Sequence, residues 1–297
     1  MGNSTKKARL MLTVSMVIFG TIGLFVRSIP LPSSAIAATR GVLGAMVLCA
    51  ILRLSRGKLQ TQLLKPKLGL LVVSGIVMGF NWILLFEAYR YTSVAVATLC
   101  YYFAPSIMVV ASAMFYKEKM TLRTGLCALI ALGGMVLVSD VPRVGFSGGR
   151  ELIGVALGLG AAMLYATVIM INKRLGDIPS QEGTVVQLFC AGAAAAVYTA
   201  IAEKGTALSL GGVSGIVMLA AVVLIHTGLA YALYFDVVPR LPGATVAMLS
   251  YLDPVLAVLL SALVLKETMH PLQWIGAALV LGASLASELG RTKEKTV

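Results

Sequence analysis

Charge is scarce in this chain: only 12% of its 297 residues are Asp, Glu, Lys or Arg, while 59% are hydrophobic. Soluble domains average about 25% charged and roughly 45–50% apolar residues, so the two soluble domains that the length alone allows are excluded. Acidic residues are the scarcer sign, 12 against 24 basic, for a net charge of +12. A nucleic-acid-binding protein gathers such an excess on one soluble face. Here the basic residues fall between apolar runs, which is how membrane proteins set their orientation, and no nucleic-acid partner is expected. Histidine (2) and cysteine (4) are also few, and Cys49, Cys100, Cys127 and Cys190 lie inside apolar runs without CxxC spacing. They read as packing residues, with neither zinc nor disulfide implied. An HExxH motif, a Walker loop and paired intramembrane aspartates are missing too. Their absence removes the usual machinery of an intramembrane enzyme or an ATP-driven pump, and no cofactor is expected.

What is present is apolar length. A helix that crosses a bilayer needs about 17–25 largely apolar residues, and ten such runs fall near residues 10–26, 33–52, 68–89, 94–116, 122–139, 152–171, 183–202, 213–235, 244–265 and 271–287. They predict an all-α integral membrane protein. Lys6, Lys7 and Arg9 precede the first run, but Arg27, Pro30 and Pro32 stand where a cleavage site would follow, so this run reads as a retained helix and not a signal peptide. With alternating spans, one side collects Lys6, Lys7, Arg9, Arg53, Arg56, Lys58, Lys65, Lys67, Lys117, Lys119, Arg123, Lys173, Arg174, Arg240, Arg291, Lys293 and Lys295. The other side holds Arg27, Arg90, Arg143, Arg150, Lys204 and Lys266. This bias predicts a multi-pass protein of the cell (inner or plasma) membrane with both termini cytoplasmic.

The chain also repeats itself. Tyr101–Lys119 (YYFAPSIMVVASAMFYKEK) returns as Ser250–Thr268 (SYLDPVLAVLLSALVLKET). An offset of 149 residues aligns Tyr102 with Tyr251, Pro105 with Pro254, Ser112 with Ser261, Lys117 with Lys266 and Glu118 with Glu267, and reaches back to Gly79/Gly228 and forward to Gly133/Gly282. Residues 1–139 and 152–297 are then two repeats joined by a linker at 140–151. Five spans in each repeat is an odd number, so the second copy enters the membrane upside down. The expected fold is ten transmembrane helices as two inverted five-helix repeats. Such inversion gives many secondary transporters two alternative openings to one central site; duplication can also record ancestry alone, but a static scaffold has little use for inversion.

Several features together identify a known pattern: Arg40 in span 2, the small-residue opening of span 4 (SVAVATLCYY), Pro105 and Pro254 inside spans 4 and 9, and the Lys–Glu pairs at 117/118 and 266/267. With the repeat, they resemble the EamA family of the drug/metabolite transporter superfamily, over nearly the whole chain. The resemblance implies a ten-helix exporter of small metabolites, amino acids among them, with a central cavity lined by spans 1, 3, 4, 6, 8 and 9 and with spans 5 and 10 peripheral.

The residues themselves supply the candidate chemistry. A mid-helix proline removes a hydrogen bond and frees a carbonyl one turn earlier, so Pro105 and Pro254 are expected kinks, with Tyr101, Tyr102 and Tyr251 beside them. Ionisable groups within the membrane are costly and are functional candidates. Arg40, roughly 10 Å below the outer surface at about 1.5 Å per residue, either pairs with Glu87, binds a substrate carboxylate, or plays a structural role by snorkelling. Asp253 and His226 fall at similar depth and are candidates for proton coupling; the plainer alternative gives each a local hydrogen bond. Asn81 and Trp82 lie mid-span 3, and the offset places Tyr231 opposite Trp82, as two aromatic walls of one cavity. Gly154, Gly158, Ala162 and Ala166 read as a packing stripe on span 6. Glu118 and Glu267 are each expected to sit at the positive N-terminal end of the helix that follows, with Pro271 at a first-turn position.

These readings converge on a secondary transporter of small organic metabolites, with an intramembrane enzyme and a passive channel or scaffold as the alternatives. Its expected partners are a small-molecule substrate and the lipid bilayer, with a homodimer left open.

Overall fold

In lipid, every backbone N–H and C=O must be satisfied within the chain, so apolar runs of spanning length fold as helices. The protein, seen in a computed structural model, is described over residues 2–56, 59–116, 122–139, 149–176, 178–206 and 208–294. Thirteen α-helices and no β-strand are present among the described residues. They are α1 (Gly2–Arg27), α2 (Ser33–Arg56), α3 (Leu68–Tyr91), α4 (Val94–Tyr101), α5 (Ala104–Tyr116), α6 (Leu122–Val138), α7 (Gly149–Lys173), α8 (Ser180–Ala202), α9 (Val213–Val223), α10 (Ala230–Val237), α11 (Gly243–Ser250), α12 (Leu252–Leu263) and α13 (Pro271–Glu294). Among the described residues, six helical stretches are long and apolar enough to cross a membrane: Thr5–Arg27, Ser33–Ser55, Thr61–Tyr91, Gly149–Lys173, Ser180–Ala202 and Val213–Arg240. Val94–Met108, Gly125–Val138, Met248–Leu263 and Pro271–Ser287 are apolar but shorter.

Three of the runs differ from continuous spans. The fourth breaks at Tyr102–Phe103 into α4 and α5, and the ninth breaks at Tyr251 into α11 and α12. Pro105 and Pro254 therefore lie in the first turns of α5 and α12, where a missing N–H costs no helical bond, instead of kinking the middle of one helix. The eighth run is interrupted by a π segment, Leu224–Leu229, that joins α9 to α10.

The packing is reciprocal. α2 lies along α8, and α6 along α13; α7 packs on α3, α4 and α5, while α1 packs on α10, α11 and α12. Glycine sets the closest crossings. A Cβ on Gly41 would fall 2.4 Å from the Cα of Gly192, and one on Gly134 would fall 2.8 Å from the carbonyl oxygen of Gly276. In lipid, helices associate by close packing, which small residues permit. The expected stripe on α7 does the same: Gly154 meets Thr92, Gly158 meets Cys100, and Ala162 and Ala166 are buried. The main core gathers Ile36, Leu48, Phe86, Ala161, Leu188 and Val222 between α2, α3, α7, α8 and α9. The outward faces of α6 and α13 carry Leu126, Leu129, Ile130, Trp274 and Ile275, which suits contact with lipid.

Polar contacts collect at the helix ends. Arg27 donates to the Thr92 carbonyl (3.3 Å) and Arg150 to the Arg90 carbonyl (3.2 Å). Elsewhere Lys67 donates to the Arg174 carbonyl (3.4 Å) and Arg123 to that of Ala286 (3.2 Å). Each contact joins residues that the charge pattern assigns to one side. The Lys117–Glu118 pair lies outside the described residues. Pro271 opens α13 as expected, but Glu267 does not cap that helix: it reaches across the molecule and accepts the N–H of Val94, at the start of α4, at 2.9 Å.

Candidate substrate site

Arg40 is buried on α2, at 4% exposure. Its Nε donates to the Thr227 hydroxyl at 3.0 Å, and its Cζ sits 4.2 Å from the centre of the Trp82 ring and 5.7 Å from that of Phe86. Tyr89, Tyr101 and Tyr231 pack in the same core as these two rings. Glu87 is engaged elsewhere, accepting from Ser33 at 2.6 Å and lying 3.8 Å from Arg90. The Arg40–Glu87 pair therefore does not form: Glu87 points to the helix end, where Ser33 and Arg90 hold it. Among the described residues, no carboxylate forms an ion pair with Arg40. A buried guanidinium is costly unless an anion balances it. Ring faces and a hydroxyl compensate only in part, and the arrangement can accept a carboxylate from a ligand.

Asp253, half-buried in the first turn of α12, accepts from the Tyr102 hydroxyl at 2.6 Å. The break between α4 and α5 thus holds the break between α11 and α12. The rings of Tyr102 and Tyr251 are 6.2 Å apart, those of Tyr101 and Tyr102 6.0 Å, and those of Tyr101 and Tyr165 5.0 Å. Tyr101 and Tyr89 pack in the same core as Trp82, the ring over Arg40, and Tyr101 adjoins Tyr102, the partner of Asp253, so the two opposite charges flank one cluster of aromatic rings. Trp82 and Tyr231, paired by the repeat, both adjoin Arg40.

His226 and Asp253 are not brought together. The imidazole is 1% exposed; its Nδ1 lies 3.1 Å from the Ala221 carbonyl and its Nε2 2.9 Å from the Thr21 hydroxyl. A carbonyl only accepts, so Nδ1 carries a proton, while the single proton of the Thr21 hydroxyl is shared between Nε2 and the Ile18 carbonyl, 2.7 Å away. The π segment explains this geometry. Its wider turn lets His226 and Thr227 each bond a carbonyl five residues back, Thr227 donating to Val222 at 2.9 Å. π-turns inside helices recur at functional sites, and this one sets Thr227 against Arg40. Asn81 is likewise occupied, donating to the Ala161 carbonyl at 2.6 Å, which ties α3 to α7.

Sequence reasoning missed Thr227, Thr21, Tyr165 and Tyr89. No composition signal marks a neutral hydroxyl in an apolar run, and the 149-residue offset sets Met78 against Thr227. Tyr165 carried a usable signal, since it falls one position before Ala166 of the small-residue stripe that faces α3 and α4.

Comparison with known proteins agrees with this architecture. The sequence pattern of the EamA-like transporter family matches residues 6–140 and again 152–287. The chain belongs to this family. It is a multi-pass membrane transporter with the family's pattern present twice. The chain is 27% identical over 290 residues to YxxF, an uncharacterized transporter of Bacillus subtilis strain 168, covering 96% of this chain and 90% of that one. It is 30% identical over 173 residues to the threonine/homoserine exporter RhtA of Escherichia coli K12, covering 58% of this chain and 54% of RhtA. A solved crystal structure, 20% identical, superposes with a TM-score of 0.67 over 98% of this chain and 99% of its own, a likeness of fold.

Proposed function

We propose that this EamA transporter is a secondary carrier that moves small zwitterionic metabolites, amino acids or close relatives, outward across the cell membrane. The observation that carries the substrate class is the pair of opposite charges flanking one tyrosine cluster, each held by a neutral partner: Arg40 by Thr227, and Asp253 by Tyr102. In this reading Arg40 binds the substrate carboxylate and Asp253 its ammonium, while Trp82, Tyr101, Tyr102, Tyr231 and Tyr251 form the walls. A guanidinium presents parallel donors that match a carboxylate. A dipolar solute balances both charges at once, whereas a purely apolar one leaves both uncompensated. The named substrates of RhtA are amino acids, which agrees with this class.

The transport cycle is alternating access by two inverted five-span halves, 1–139 and 152–297, joined by 140–151, with both termini cytoplasmic. Two observations support inversion. The packing is reciprocal between the halves, and the start of α7, through Arg150, bonds the end of α3, where α1 finishes rather than where it begins. Ten spans follow if α4 with α5, and α11 with α12, each cross as a broken helix. Broken helices at repeat interfaces commonly form carrier sites.

The test is counterflow of labelled amino acids in proteoliposomes. Saturable exchange is expected, with competition by zwitterions exceeding that by the matching acids or amines alone. Arg40→Ala is expected to abolish exchange in protein that remains folded; unchanged exchange in that variant overturns the assignment.

A further inference from the structure

Glu267 stands where the two halves of the chain meet. Its carboxylate accepts the N–H of Val94 at 2.9 Å and the hydroxyl of Ser261, and it pairs with the guanidinium of Arg27. The same Arg27 nitrogen donates to the Thr92 carbonyl at 3.3 Å, and Ser261 Oγ receives the N–H of Ala95 at 3.3 Å. The leading N–H groups of a helix lack partners within it. At α4, Ser93 caps Val96 from the same half, at 3.1 Å, whereas Val94 and Ala95 are capped from the other half of the chain. The positive end of α4 further favours a carboxylate there.

Two features distinguish this cluster from a static joint. The first is strain. Lys266 has φ +54°, the only non-glycine residue with positive φ among the described residues, and it turns the chain back at the end of α12 so that Glu267 faces α4. Such outliers cost energy and cluster at switch regions. The second is access. The Arg27 side chain is 38% exposed while that of Glu267 is 11%, so water reaches the pair from the Arg27 side. By contrast, the Gly41–Gly192 crossing interlocks backbone against backbone and cannot open without voids. The sequence repeats Ser261 and Glu267 as Ser112 and Glu118.

We infer that Glu267, Ser261 and Arg27 form a latch that shuts the substrate cavity at the Arg27 end of the bundle, and that this latch breaks and re-forms in each transport cycle. The inference rests on the alternating-access reading above, not on the identity of the solute. Opening the latch carries α12 away from α4. Asp253 and Tyr102 lie on the same two broken spans, so the latch and the substrate site move together.

The test is a distance measurement by pulsed electron resonance, without solute, on full-length protein in nanodiscs. The native cysteines are replaced by alanine, and spin labels are placed at Ser28→Cys and Thr268→Cys, both exposed positions. A short and a long distance are expected to coexist. Glu267→Gln and Arg27→Gln are each expected to shift their ratio about fivefold or more toward the long distance, since a fully exposed ion pair sets the lower end of the effect, and Glu267→Asp to restore part of the short population. Arg27→Gln changes the more exposed partner and leaves the bonds of Glu267 to Val94 and Ser261 in place, so it serves if Glu267→Gln does not fold. A single short distance, unchanged in folded variants, overturns the latch. Because no solute is present, this outcome is separate from failure of amino-acid counterflow.

Discussion

At the residue scale, Arg40 is held by the Thr227 hydroxyl and the ring faces of Trp82 and Phe86, and these partners predict how substitutions behave. Thr227→Val keeps the volume at that position but removes the acceptor of Arg40 Nε. A hydrogen bond to a charged group is worth about 1.5–3 kcal/mol, so KM for the solute is expected to rise about tenfold or more with Vmax less affected, as initial-rate transport reads it. Arg40→Lys keeps the charge but loses the planar fork and the stacking on Trp82, and is expected to retain only a fraction of the exchange. Asp253→Asn keeps a partner for Tyr102 while removing the anion, and is expected to lessen discrimination between an amino acid and the corresponding acid. The charged members of this site were legible in the sequence because an ionisable group in an apolar run stands out. Thr227, the neutral partner of Arg40, was not, since a hydroxyl costs little to bury and leaves no trace in composition. The Arg40–Glu87 pair, one of three alternatives for Arg40, does not form because similar depth does not place two side chains on facing sides of their helices.

At the element scale, glycine contacts decide which helices approach. Gly133 and Gly282 correspond in the internal repeat, yet a Cβ on either would meet nothing within 4 Å. Gly192 has no equally clear repeat partner, yet a Cβ there would fall 2.4 Å from the backbone nitrogen of Val42. Gly192→Leu is therefore expected to destabilise the fold by about 1–3 kcal/mol or more, the cost of overpacking, whereas Gly282→Leu should be near neutral. Thermal unfolding in detergent compares the two. The prolines give a second contrast. The sequence shows that Pro105 and Pro254 interrupt helices, but whether a proline bends one helix or begins another depends on the residues before it. Here Tyr102 and Phe103 turn out of the helix before Pro105, and Tyr251 does so before Pro254, so each proline lies in the first turn of a new helix. The π segment at Leu224–Leu229 had no proline or glycine run to announce it.

At the scale of the whole molecule, the two sets of end contacts predict sidedness. A single cysteine at Ser28, beside Arg27, is expected to react with a membrane-impermeant maleimide added to intact cells. One at Gln62, near Lys65 and Lys67, should react only after permeabilisation. Labelling of both from the same side would refute the alternation of spans. The sequence by itself determined that this protein is helical, membrane-embedded and internally duplicated. Those properties follow from how each stretch of chain is solvated and from its length, which are read locally. Only the tertiary structure decided that Arg40 meets Thr227, that Asp253 meets Tyr102, and that Glu267 reaches Val94 across 173 positions of sequence. These contacts depend on how each helix is rotated about its axis and which glycines let a neighbour come close. In a chain whose helices are apolar on nearly every face, hydrophobic periodicity does not encode that rotation.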